Sequence, residues 1–315
     1  MLKQLKISGV ILLLCLPLLF WGIHLNNTRF HNLSKGNYFF NNIRNHPSIS
    51  SIIIKFNDTN KQITLNKKDD LWHIKEADDY FVSFSKINTL VSLIRKTLIF
   101  RADVLKGGNL PFLKENTLTI TALDNYGNII ENATIAQKTD KNKYHYALLN
   151  DDGFLYQING NFDISSDAID WLQMPILKIN QDDYKIIKSN KFHVFKSFKN
   201  DFFKDVETGN ISSYVTNLIN HFWYLSAIDI KHSVNFKINE YKKINSYELS
   251  LFNGLIYYIS IYSKNNDYWL NIRLNKGKLV SKDMISQLEE NEALYKGWYF
   301  RIPQDKGEII SNFSI

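Results

Sequence analysis

Residues 247–262 read YELSLFNGLIYYISIY. Two runs rich in Tyr, Ile and Leu flank Asn253-Gly254, and Asn-Gly between strand-like runs is the strongest short-range hairpin cue because its turn needs positive φ. The cue predicts strands over 247–252 and 255–262, and the run YWLNIRL at 268–274 supplies a third. Upstream, Tyr214, Val215, Leu218, Ile219, Phe222 and Leu225 form the apolar stripe of an amphipathic helix. Before that helix, residues 184–188 and 192–198 read as two more strands.

The same order of elements stands in the first half of the chain. Residues 51–56 (SIIIKF), 62–65 and 71–75 (LWHIK) read as short strands. Ser85 opens a segment in which Ile87, Leu90, Val91, Ile94 and Leu98 trace a helical stripe as far as Phe100. Turns at 124–128 (DNYGN) and 150–153 (NDDG) predict two hairpins, and 163–172 predicts a short helix before Pro175. Asp103 and Asp229 follow the two helices at comparable places, and Trp171 and Trp298 each precede a proline. The pattern predicts an α+β protein of two similar modules, 48–175 and 180–303, each an antiparallel sheet with one amphipathic helix, followed by a tail at 304–315.

The N-terminus carries Lys3 and Lys6, and then Ile7 to Leu25 (ISGVILLLCLPLLFWGIHL) runs without a charged residue over about the length that crosses hydrocarbon. A cleaved signal is the competing reading, but no small-residue cleavage pattern follows the run, so residues 1–25 read as a head and one transmembrane anchor. A short head before a large body places the bulk outside the cytoplasm of a bacterial inner membrane. The Asn-rich residues 26–47 read as a stalk.

Composition excludes several classes. With 44% hydrophobic and 14% aromatic residues the chain is no disordered tail, and one Cys forms neither an internal disulfide nor a Cys-based zinc site. The net charge of +7 is modest for 315 residues. The basic stretch Lys185 to Lys199 reads as a strand pair with solvent-facing lysines suited to an anionic membrane surface, and nucleic acid is not an expected partner. Gly277-Lys278 is followed by Leu279, which breaks a P-loop pattern, and none of the eight histidines pairs at helical spacing for zinc. The Asp pairs 69–70, 78–79, 151–152 and 182–183 read as turn solvation. No catalytic residue, cofactor or metal is expected. The aromatics between Tyr257 and Phe300 read first as sheet packing, and Trp269, Tyr295, Trp298 and Tyr299 are the candidates for a partner-binding surface.

Several of these phrases resemble the bacterial domain of unknown function family 4340. They are 63–74 (ITLNKKDDLWHI), the helix at 85–100, residues 110–120, the hairpin at 144–158 (YHYALLNDDGFLYQI) and the closing 296–303 (KGWYFRIP). The resemblance implies a membrane-tethered extracytoplasmic module that accompanies a gliding-motility-type ABC transporter component. The functional expectation is a scaffold or accessory protein that binds another envelope component. The rival readings are an envelope hydrolase, which requires a deep pocket with perturbed titratable groups, and a carbohydrate-binding module, which requires exposed aromatics.

Overall fold

The computed structural model describes residues 36–105, 116–136, 144–277 and 282–313. In chain order the first half carries α1 (Asn41–Asn45), β1 (Ser51–Phe56), β2 (Lys61–Lys68), β3 (Leu71–Ile74), β4 (Tyr80–Phe81), α2 (Phe84–Lys96) and β5 (Ile99–Val104). It continues through β6 (Thr117–Leu123), β7 (Ile129–Ala136), β8 (His145–Leu149) and β9 (Phe154–Ile158). The second half carries β10 (Tyr184–Ser189), β11 (His193–Phe195), β12 (Lys204–Asp205), α3 (Val215–Phe222) and β13 (Asp229–His232). After these come β14 (Lys242–Leu251), β15 (Leu255–Lys264), β16 (Asp267–Lys276), α4 (Lys282–Tyr295), β17 (Trp298–Ile302) and α5 (Gln304–Asn312).

The contacts divide the chain into two units, and the division does not follow sequence order. One unit holds the chain through Asp70 together with Ser85–Ser166; the other holds Leu71–Phe84 and Asp167–Ile315. In the first unit the antiparallel order is β2-β1-β6-β7-β8-β9-β5: β1 pairs with its successor β2 on one side and with the distant β6 on the other, β6 to β9 follow in sequence, and β5 lies at the edge beside β9. The β6–β7 turn is closed by Asp124, whose Oδ1 accepts from the backbone N–H groups of Tyr126 and Asn128, both at 2.8 Å, while Gly127 takes φ +82°. Alternation puts Ile52, Ile54, Ile63, Leu65, Ile120 and Ile135 on a buried face, and Ile87, Leu90 and Ile94 of α2 are buried as well. Each such side chain contributes roughly 1.5–3 kcal/mol by leaving water.

In the second unit the eight-stranded sheet runs β12-β11-β10-β14-β15-β16-β17-β13. The expected Asn253-Gly254 hairpin joins β14 to β15, with Gly254 at φ +89° and the Asn253 Oδ1 accepting from the Leu255 N–H at 3.1 Å. One sheet face carries Tyr247, Leu249, Tyr257, Ile259, Leu270, Ile272 and Phe300, all buried. Helices cover it. Phe222 of α3 meets Tyr247 at 5.4 Å, Tyr295 at the end of α4 meets Phe300 at 6.3 Å, and Gly307 of α5 lies against Tyr268. The opposite face carries Ser246, Glu248, Tyr258, Asn271 and Arg273, half-buried to exposed, while Trp269 on the same face is buried beneath Phe236. The inserted segment 71–84 belongs to this unit through Tyr80, which meets Trp298 and Phe300 edge-on, and through Asp78, whose Oδ2 accepts from the His232 N–H at 3.0 Å.

These observations correct the expected fold class. The described chain is mostly β-sheet in two large antiparallel sheets, and the scheme of two similar α+β modules with one helix each fails. The second sheet is covered by α3, α4 and α5, and the strand at 71–74 groups with that unit. The physical reason is that alternating runs of Ile, Thr and Tyr outweigh helix-forming runs in a chain whose helical segments are broken by Asn, Ser and Thr. Within 26–47, Phe39, Phe40 and Ile43 are buried in the first unit, so this part of the expected stalk is core. Within 304–315, α5 is likewise packed, with Ile310 fully buried. The expected anchor, Ile7 to Leu25, lies outside the described residues; among the described residues no helix is long and apolar enough to cross a membrane.

Candidate interaction surface

The aromatics singled out from the sequence sit mainly in the interior of the second unit. Trp269 is 4% exposed, with the Phe236 ring tilted against it at 4.4 Å and Tyr241 beyond. Its indole N–H has no hydrogen-bond partner among the described residues. Tyr295 donates its hydroxyl to the Ile176 carbonyl at 2.8 Å, and burial drives its phenol well above the ordinary range. Trp298 lies between Tyr80 at 4.9 Å and His232 at 4.8 Å. Tyr299 is half-buried, in contact with Phe236 and Tyr262. Trp269, Tyr295 and Trp298 are therefore buried in packing.

Exposed large apolar side chains concentrate between residues 198 and 228. Phe198 is 73% exposed, Phe202 72%, Tyr214 70%, Tyr224 63%, Ile211 62% and Trp223 48%. Local structure explains why they point outward. On α3 the residues Val215, Leu218, Ile219 and Phe222 take the buried stripe, which leaves Tyr214 before the helix and Trp223 and Tyr224 after it with no interior position. Around β12, Phe203 is buried, and Phe202 beside it on an irregular stretch is not.

Trp223 borders a groove of about 630 Å³ that is otherwise polar, lined by Asn180, Gln181, Asp182, Asp183, Lys199 and Asn200. Lys199 pairs with Asp183 at 2.8 Å, and that partner raises the Lys199 pKa. Lys196, 7% exposed, sits behind the groove and donates to the carbonyls of Gln181 and Lys199, each at 3.3 Å, with its ammonium 4.6 Å from the Phe203 ring. Burial lowers its pKa, while Asp182 and Asp201 act against the shift. This lysine ties the two segments that form the groove walls. The stretch Lys185 to Lys199 thus divides: Lys185, Lys188 and Lys191 are exposed, whereas Lys196 is interior.

Sequence reasoning missed this surface because Phe198, Phe202 and Ile211 carry no periodicity that marks a face. The one legible signal was at the end of the second helical stripe, where Trp223 and Tyr224 fall off the apolar positions. Among the described residues no group of His, Cys, Asp and Glu is placed to hold a metal ion. Searches against protein-family models, curated proteins and solved structures find no match to this chain.

Proposed function

We propose that this chain is a membrane-anchored, extracytoplasmic accessory protein that binds another envelope protein, with a component of an ABC transporter complex as the partner. One observation carries the reading: large aromatic and aliphatic side chains are held in solvent along residues 198–228 by a folded scaffold. Where such side chains adjoin they form the exposed apolar patches that mark interaction sites, and Trp and Tyr are enriched among the residues that dominate binding energy. The anchor part of the proposal draws on the uncharged run from Ile7 to Leu25.

The test is a crosslinking pull-down of the full-length protein from its native membrane, with the bare anchor segment as control. Recovery of transporter subunits that depends on the folded body, and that drops in a Trp223→Ser/Tyr224→Ser variant, supports the proposal. Recovery no different from the bare anchor overturns it.

A further inference from the structure

The open face of the second sheet carries a second, chemically different surface. Strand register lines up one residue from each of four strands: Lys188 faces Glu248, Glu248 faces Tyr258, and Tyr258 faces Arg273. At about 4.8 Å between strands this row spans roughly 14 Å. The next row on the same face places Ser246 opposite Ser260 and Ser260 opposite Asn271. With Asn190 and Lys243 the face forms a concavity of about 290 Å³.

The charges there are unspent. Lys188 and Glu248 are cross-strand neighbours yet form no ion pair, and among the described residues neither Lys243 nor Arg273 has a carboxylate within pairing distance. Three cations therefore share one concave face with a single carboxylate, a set of short hydroxyl and amide side chains, and one half-buried phenol. Fixed cations of this kind attract an anion, while the hydroxyls, the amides and Glu248 match a ligand rich in hydroxyl groups. A ring face on Tyr258 matches a ligand with a flat or saturated ring.

We infer that this face binds an acidic polysaccharide, laid across the strands, with Lys188 and Arg273 holding its carboxylates, Tyr258 under a sugar ring, and Ser246 and Glu248 exchanging hydrogen bonds with its hydroxyls. A single-stranded nucleic acid is the less suitable polyanion. Its binding surfaces stack successive bases on several aromatic rings, whereas this concavity offers one and places a carboxylate in the phosphate track.

The experiment titrates the full-length protein in detergent micelles with oligomers of galacturonate, with neutral galactose oligomers of equal length and with a single-stranded oligonucleotide. Saturable binding of the acidic oligomer is expected, weakening as salt rises, with the neutral oligomer bound much less. Arg273→Gln and Lys188→Gln should each weaken it about three- to tenfold. Both positions are exposed, so the thermal melt serves as the folding control, and either variant suffices if the other fails to fold. The inference is overturned by absence of saturable binding, by equal affinity for the neutral oligomer, by an unchanged affinity in the folded variants, or by tighter binding of the oligonucleotide.

Discussion

The Tyr80 ring stands edge-on to Trp298 at 4.9 Å, and its hydroxyl donates to the Leu294 carbonyl at 3.2 Å. This contact ties a segment from the first third of the chain into the second unit. Tyr80→Ala should destabilise that unit by about 3–5 kcal/mol through the cavity it leaves, and Tyr80→Phe by about 1 kcal/mol through the lost hydrogen bond. Urea unfolding followed by tryptophan fluorescence measures both. A fragment that begins at Asp167 lacks Leu71–Phe84 altogether and should show no cooperative transition; a sharp one would mean the segment is dispensable.

Gly307 is placed where no other residue fits. A Cβ there would overlap the Tyr268 Cγ, so α5 packs on the sheet only because that position has no side chain. Gly307→Ala should cost about 1–3 kcal/mol from overpacking, against the roughly 1 kcal/mol by which helices prefer alanine. In the double variant Gly307→Ala/Tyr268→Ala the penalty should shrink without vanishing, because the ring contacts go while the Tyr268 Cβ still crowds the added methyl. A stabilised single variant would show that the helix sits farther out.

In the first unit Glu131 is 1% exposed and its carboxylate accepts from the Ile43 N–H at 3.1 Å and the Asn42 N–H at 3.4 Å. Burial raises its pKa above the usual 4.5, and the two backbone donors only partly offset this. The folded state therefore holds the proton more tightly than the unfolded chain, so this carboxyl subtracts stability as pH rises from about 4.5 upward. Against Glu131→Gln, the wild-type chain should lose relative stability across that window in denaturant titrations at a series of pH values. A pH-independent difference would show that the carboxyl titrates alike in both states.

Trp223 and Tyr224 are exposed and follow the buried stripe of α3. Trp223→Ser and Tyr224→Ser should leave the melting temperature within about 2 °C, as surface changes usually stay within about 0.5 kcal/mol. Together they should abolish partner recovery in the crosslinking experiment. A fall in melting temperature alongside lost recovery would assign these rings to packing.

The parts of this fold that were legible in the sequence are those settled by neighbours. Asn253-Gly254 marks its hairpin because the turn geometry is local, and Ile87, Leu90 and Ile94 mark α2 because one helix face repeats every few residues. The rest depends on distant contacts. Residues 304–312 (QDKGEIISN) have few apolar positions and a mid-helix glycine, and their helix exists to cover Tyr268 and Tyr247. Trp269 and Trp298 belong to the core because Phe236 and Tyr80 lie against them, contacts that no local pattern marks. The open row from Lys188 to Arg273 was illegible for the same reason, since only strand register brings those residues side by side.

Tyr80 and Leu294 are 214 residues apart. A ribosome that adds roughly 5–20 residues per second needs roughly 10–40 s to make the distance. Over that interval Tyr80 waits while the strand and helix that cover it do not yet exist. The first unit can close around its own sheet during synthesis, but the second must wait for nearly the whole chain. Completion of this protein is therefore a late, all-at-once event, and truncated products would display an unpaired aromatic hairpin to whatever chaperone or protease patrols the nascent chain.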